Sequence, residues 1–182
     1  MRSTVLVFLA LAGVTSLRAH PEIEAALARL NASIAAAPSD AGQYLERGEL
    51  YAKHADWVSA EANYLIAAEL SPHDPGIARA RGALALATGH PAEARRHLDA
   101  ALRRLPADAT SLVWRARSHA ALHERRAAVA DYTAALALVS SPSPELFLER
   151  AALLEAPESI RSLYEALARI GPAIALKLRA LA

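Results

Sequence analysis

The residues most able to do chemistry in this chain are its histidines, its arginines and a few carboxylates. His119 and His123 stand four apart, a spacing that places two imidazoles on one helical face. Glu124 is the one carboxylate close by, which falls short of a metal-ligand set. His54, His90 and His123 occupy chain breaks about one repeat apart, too far from one another to chelate a single ion, and read as exposed turn residues. His20 would become an amino terminus if a leader were removed after Ala19, bringing a free amine and an imidazole together as copper sites do. No further histidine can be placed beside it, so a metal-binding module built on His20 is the remotest alternative. There is no cysteine, hence no thiol nucleophile, thiolate ligand or disulfide framework. A glycine-rich phosphate loop, a serine in a nucleophile elbow and a paired histidine–glutamate zinc motif are also absent from the sequence. No catalytic residue, metal or cofactor is therefore expected, and the chain does not read as an enzyme.

Arginine supplies a more regular pattern. Arg47, Arg81 and Arg115 recur every 34 residues, and Arg150 follows beside Ala151. One reading is an anion-gripping ladder. The other is structural: each guanidinium bonds across its own hairpin, for instance Arg115 to Asp131, while its stem lies over the core. Glu46 and Glu149, adjacent to Arg47 and Arg150, offer local compensation in two of the units and favour the structural reading.

The same period organises the elements that must position these residues. Gly48, Gly82 and Ala116 align; so do Ala60, Ala94 and Ala128, then Ala67, Ala101 and Ala135, then Tyr64, Leu98 and Tyr132, then Pro72, Pro106 and Ser140. Each unit reads as a helix centred on the small column, a tight break, a second helix carrying two alanines, and a proline that stops it. Gly89 suits the left-handed conformation that ends a helix. This order of small, alanine, aromatic and proline positions resembles the tetratricopeptide repeat. The match covers 41–74, 75–108 and 109–142, with a degenerate fourth unit at 144–171 whose break at Ala156-Pro157-Glu158 is shortened. Upstream, 20–38 carries Ile23, Leu27, Leu30 and Ile34 as one helical stripe and reads as a capping helix. Downstream, 172–182 carries Ile174, Leu176, Leu178 and Leu181 and reads as a last helix whose apolar face another chain could cover. The fold class expected is all-α, and the resemblance implies a right-handed superhelical solenoid of antiparallel helix hairpins.

Charge and composition narrow the partner. The 20 basic and 19 acidic residues nearly cancel, leaving no field of the kind that attracts a phosphate backbone, so nucleic acid is not expected. Met1 to Thr4 is a short basic region, Val5 to Val14 an apolar stretch, and Thr15 to Ala19 a more polar exit, which reads as a secretory signal over residues 1–19. Its apolar stretch is shorter than the about 20 residues a spanning helix needs, so no membrane insertion is expected after cleavage. The expected location is periplasmic or secreted.

The resemblance also implies that the first helices line a concave groove, presenting Leu45, Glu49, Lys53, Arg79, Ala83, Val113, Arg117 and Leu148. The lysine and asparagine pattern by which some family members clamp a terminal carboxylate is absent from these positions. The leading expectation is an exported scaffold or adaptor that holds a peptide segment or helix of a partner protein in that groove. The alternative is an architectural role, in which the C-terminal helix joins another copy, as a homo-oligomer, or a larger complex.

Overall fold

The computed structural model describes residues 21–154 and residue 165. The expected signal (1–19), His20, the C-terminal helix (172–182) and the break at Ala156-Pro157-Glu158 lie outside the described residues. The protein is an all-α solenoid: α1 (Pro21–Ala36) precedes three helix pairs, α2 (Ala41–Lys53) with α3 (Trp57–Leu70), α4 (Pro75–Ala87) with α5 (Pro91–Arg104), and α6 (Ala109–Ala121) with α7 (Arg125–Leu138), followed by α8 (Pro144–Ala151). Each of the segments 41–74, 75–108 and 109–142 contains one such pair. Within a pair the helices pack tightly, each second helix packs on the next first helix, and α2–α4 and α4–α6 are also in contact. The first helices thus stand side by side along the inner wall.

The helix boundaries follow from local chemistry. Asp40, Asp74 and Asp108, one period apart, cap α2, α4 and α6: their carboxylates accept hydrogen bonds from the backbone N–H of Gly42, Gly76 and Ser111. Pro75, Pro91 and Pro144 occupy first-turn positions, where the missing N–H has no intrahelical role. The hairpin break turns through one left-handed residue at the same register in each unit, Ala55 (φ 59°), Gly89 (φ 82°) and His123 (φ 60°).

The periodic columns form the core. Ala60, Ala94 and Ala128, the second alanine column and the Tyr64, Leu98, Tyr132 column are all buried. Tyr64 and Leu98 of the last column each lie over the glycine sixteen positions before them. A methyl on Gly48 would come within 2.5 Å of the Tyr64 ring, and one on Gly82 within 2.6 Å of Leu98. Those helices approach too closely for any side chain at either glycine, which is why a small column faces a large one. Burial pushes the phenols of Tyr64 and Tyr132 up, and nearby carboxylates push in the same direction, so both remain neutral hydroxyls.

Candidate protein-binding groove

The inner wall bounds a groove of about 510 Å³. Glu49, Ala52 and Lys53 of α2 form one side; Arg79, Ala80, Ala83, Leu84 and Ala87 of α4 form the floor; Thr110 and Trp114 of α6 form the other side, with Trp57 and Tyr64 of α3 completing it. The alanines keep the floor low and apolar, while the two tryptophans supply broad rings whose contact area suits an anchor residue of a partner. Two further hollows of comparable size, about 530 and 510 Å³, continue along α1 and α2. Lys53, exposed, borders all three.

Of the eight residues placed in a groove from the sequence, Glu49, Lys53, Arg79 and Ala83 meet in it. The other four lie elsewhere. Leu45 packs between Ala41, Ala67 and Ile77, and Val113 packs against Leu102, Leu112 and Ala135. Arg117 is engaged at the edge and at one face of its guanidinium: Nε and Nη2 donate to the two Glu149 oxygens at 2.9 and 2.8 Å, and the group stacks on Trp114 at 4.8 Å. The Tyr132 hydroxyl donates to the same carboxylate at 2.6 Å, and Arg117 followed by Tyr132 holds Glu149 below the usual carboxylate range against the effect of burial. Leu148 is exposed on α8. Trp57, Trp114, Ala52, Ala80, Ala87 and Thr110 were not singled out from the sequence. Ala83 and Ala87 stand one period after Glu49 and Lys53, and Trp114 one period after Ala80, so the lining recurs at shared repeat positions and moves toward the N-terminal end of each later first helix.

Arg79, on the groove edge, donates to Asp108 at 3.0 Å. Burial opposes ionisation of Asp108, but hydrogen bonds from Ser111 and Arg79 outweigh it and hold the carboxyl below its ordinary value. One carboxylate thereby caps α6 and ties it to α4.

The arginine column lies in the crevices between successive second helices. Arg47 spans α1 and α3, donating to Asn31 and Asn63 at 2.7 Å each. Arg115 spans α5 and α7: Nη1 donates to Asp99 at 2.9 Å, and Nε and Nη2 donate to the two Asp131 oxygens at 2.7 and 2.8 Å. In both rungs the acceptors stand sixteen residues before and after the arginine. The bonds to Asp131, opposed by burial and reinforced by Asp99, strengthen the hold of Arg115 on its proton. At Arg81 the equivalent positions are Leu65 and His97. Its nearest carboxylate is Glu61 at 3.8 Å, and its buried Nε has no hydrogen-bond partner. Arg150 donates to Glu165 at 2.6 Å.

Neither His119 nor His123 is arranged as half of a metal site. His119 hydrogen-bonds Glu124 and lies 3.7 Å from Asp131, whereas His123 is the left-handed turn residue. Among the described residues no helix is long and apolar enough to cross a membrane.

No protein-family model matches the chain. No curated protein matches it either. Solved structures do resemble it. The Cut9–Hcn1 hetero-tetramer of the APC/C superposes with a TM-score of 0.75 at 18% identity over 86% of this chain and 32% of that one, so this chain spans about a third of that protein's length. PilW, a type IV pilus biogenesis factor, superposes at 0.72 with 19% identity over 81% of this chain and 68% of that one. The first tetratricopeptide-repeat domain of Spaghetti (RPAP3), bound to the HSP90 peptide SRMEEVD, superposes at 0.59 with 19% identity over 66% and 95%. At these identities the likeness establishes the fold, a right-handed solenoid of tetratricopeptide-repeat type.

Proposed function

We propose that this chain is an exported, non-enzymatic scaffold that holds an extended segment or a helix of another protein in the groove bounded by α2, α4 and α6. The observation that carries this reading is the groove's make-up: a floor of alanines between Trp57 and Trp114, edged by Glu49, Lys53 and Arg79. A floor without bulky side chains admits a backbone, the aromatic walls receive an anchor, and the charged edge sets direction. A solved neighbour of the same fold holds a peptide. Export rests on the basic, apolar and polar order of residues 1–19.

The test is capture of a partner from the envelope and secreted fractions of the native cell by the wild-type chain and by a variant carrying Lys53→Glu and Ala83→Arg. The captured partner's binding segment is then titrated as a synthetic peptide, with tryptophan emission as the signal because both tryptophans border the groove. Loss of the partner with unchanged helical circular dichroism supports the reading. A partner retained by the variant, with no change in emission, sinks it. Glutamates at Leu45 or Val113 would be poor probes, since both side chains pack into the core.

A further inference from the structure

Two sites two repeats apart are built from the same columns with their charges exchanged. In the third unit, Nε and Nη2 of Arg117 donate to Glu149 of α8, the Tyr132 hydroxyl donates to the same carboxylate, and Trp114 stacks on the guanidinium. In the first unit, Glu49 stands two periods before Arg117, and Tyr64 two periods before Tyr132. Ala80 precedes Arg81 as Glu149 precedes Arg150. The carboxylate is thus on the earlier of the two first helices, and the later one carries a methyl where the opposite charge would stand. Tyr64 packs on Ala80, and Glu49, Tyr64, Ala80 and Trp57 all line the groove.

Tyr64 is 2% exposed, yet its hydroxyl makes no hydrogen bond among the described residues, whereas that of Tyr132 does. A hydroxyl this enclosed, given no partner by the chain, is a group for an occupant of the groove to meet. Burial and then Glu49 push the Tyr64 phenol up, which places the Glu49 carboxylate near it. Glu49 is exposed and has no ion pair among the described residues. The cations of the groove leave it so: Arg79 is held by Asp108, and Lys53, exposed one turn further along α2, can turn its ammonium to solvent.

Resting on the reading of this wall as a binding groove, we infer that the anchor it takes is an arginine side chain of the partner segment. The guanidinium lies over Ala80, pairs with Glu49, donates to the Tyr64 oxygen and rests against Trp57, much as Arg117 is held by Glu149 and Trp114 beside Tyr132. A neutral phenol accepts as well as donates. A carboxylate engages a guanidinium through two parallel bonds, and an indole ring attracts the cation further.

The probes are a blocked pentapeptide, acetyl-Ala-Ala-Arg-Ala-Ala-amide, and its counterparts with leucine or glutamate at the centre. Each is titrated into the full chain while the indole N–H signals of Trp57 and Trp114 are followed by NMR. The arginine peptide is expected to shift the Trp57 signal saturably and to bind at least about tenfold more tightly than the other two. Glu49→Gln is expected to remove that preference with Tm unchanged. Tyr64→Phe is expected to weaken the arginine peptide about threefold, also with little change in Tm, since the hydroxyl bonds to nothing in the chain. An arginine peptide bound no more tightly than the leucine or glutamate peptide overturns the inference, as does a preference that survives Glu49→Gln. Either result leaves the groove reading standing, because that reading fails only when the captured partner is retained by the Lys53→Glu, Ala83→Arg variant. Should Tyr64→Phe fail to fold by circular dichroism, Glu49→Gln, at an exposed position, still decides.

Discussion

The second hairpin, α4 with α5, and the third, α6 with α7, differ at two matched positions. In the third, Arg115 is held by Asp99 and Asp131, yet the break must force His123 into a left-handed conformation. In the second, the break uses Gly89, for which that conformation is unstrained, yet Arg81 finds neither acceptor. Each unit keeps one feature of the repeat and loses the other. Neighbouring repeats share their interfaces, so a local defect in one is carried by the packing of the next.

The largest effect should come from dismantling the better rung. Arg115→Met strands the buried Asp131 carboxylate and is expected to cost about 3 kcal/mol in urea denaturation, whereas Arg81→Met should cost less than about 1 kcal/mol, because little is lost with it. Equal losses would dissolve the distinction between the rungs. Next, Gly89→Ala is expected to destabilise by about 1 kcal/mol purely through the backbone, since no atom lies within 4 Å of the added methyl. The mirror change, His123→Gly, should stabilise by somewhat under about 1 kcal/mol, the relief of strain being offset by the greater freedom of the unfolded chain. Calorimetric Tm values of the two variants moving in opposite directions would sharpen the comparison; a common direction would break it.

The smallest effect is a difference in acid sensitivity. Burial, then the proximity of Arg81, lowers the His97 pKa, with Glu93 only partly offsetting them. A depressed folded-state pKa means the unfolded chain binds more protons, so this contribution is present above the ordinary histidine value of about 6.5 and is lost as pH falls from there through the lower folded value. Glu149, tying the third hairpin to α8, is also depressed, and its contribution fades only below the ordinary carboxylate range. On acidification, amide hydrogen exchange in α4 and α5 should therefore accelerate before that in α6 and α7, and His97→Gln should remove the difference.

Much of the fold was legible because it repeats. Columns such as Gly48 with Gly82 and Tyr64 with Tyr132 reveal a shared geometry through the residues that fill it, and the pairing of small with large sixteen residues later is visible once helices are assigned. The aspartate caps at Asp40, Asp74 and Asp108 share that period and are equally legible in the sequence. The groove was legible only in half. Glu49, Lys53, Arg79 and Ala83 follow from repeat positions, whereas Trp114, one period after Ala80, lines the groove from the position next to that of Arg79 and Val113.

By itself the sequence determined the period, the helical hairpins and the close small-on-large packing, since these depend on contacts within one repeat or between adjacent ones. Tertiary structure alone decided that the positions sixteen before and after each arginine converge on its guanidinium, and which side chains share one groove. Arg115 and Arg81 occupy the same column and differ in the residues at those two positions, Asp99 and Asp131 against Leu65 and His97, whereas the convergence of the positions depends on how successive hairpins stack.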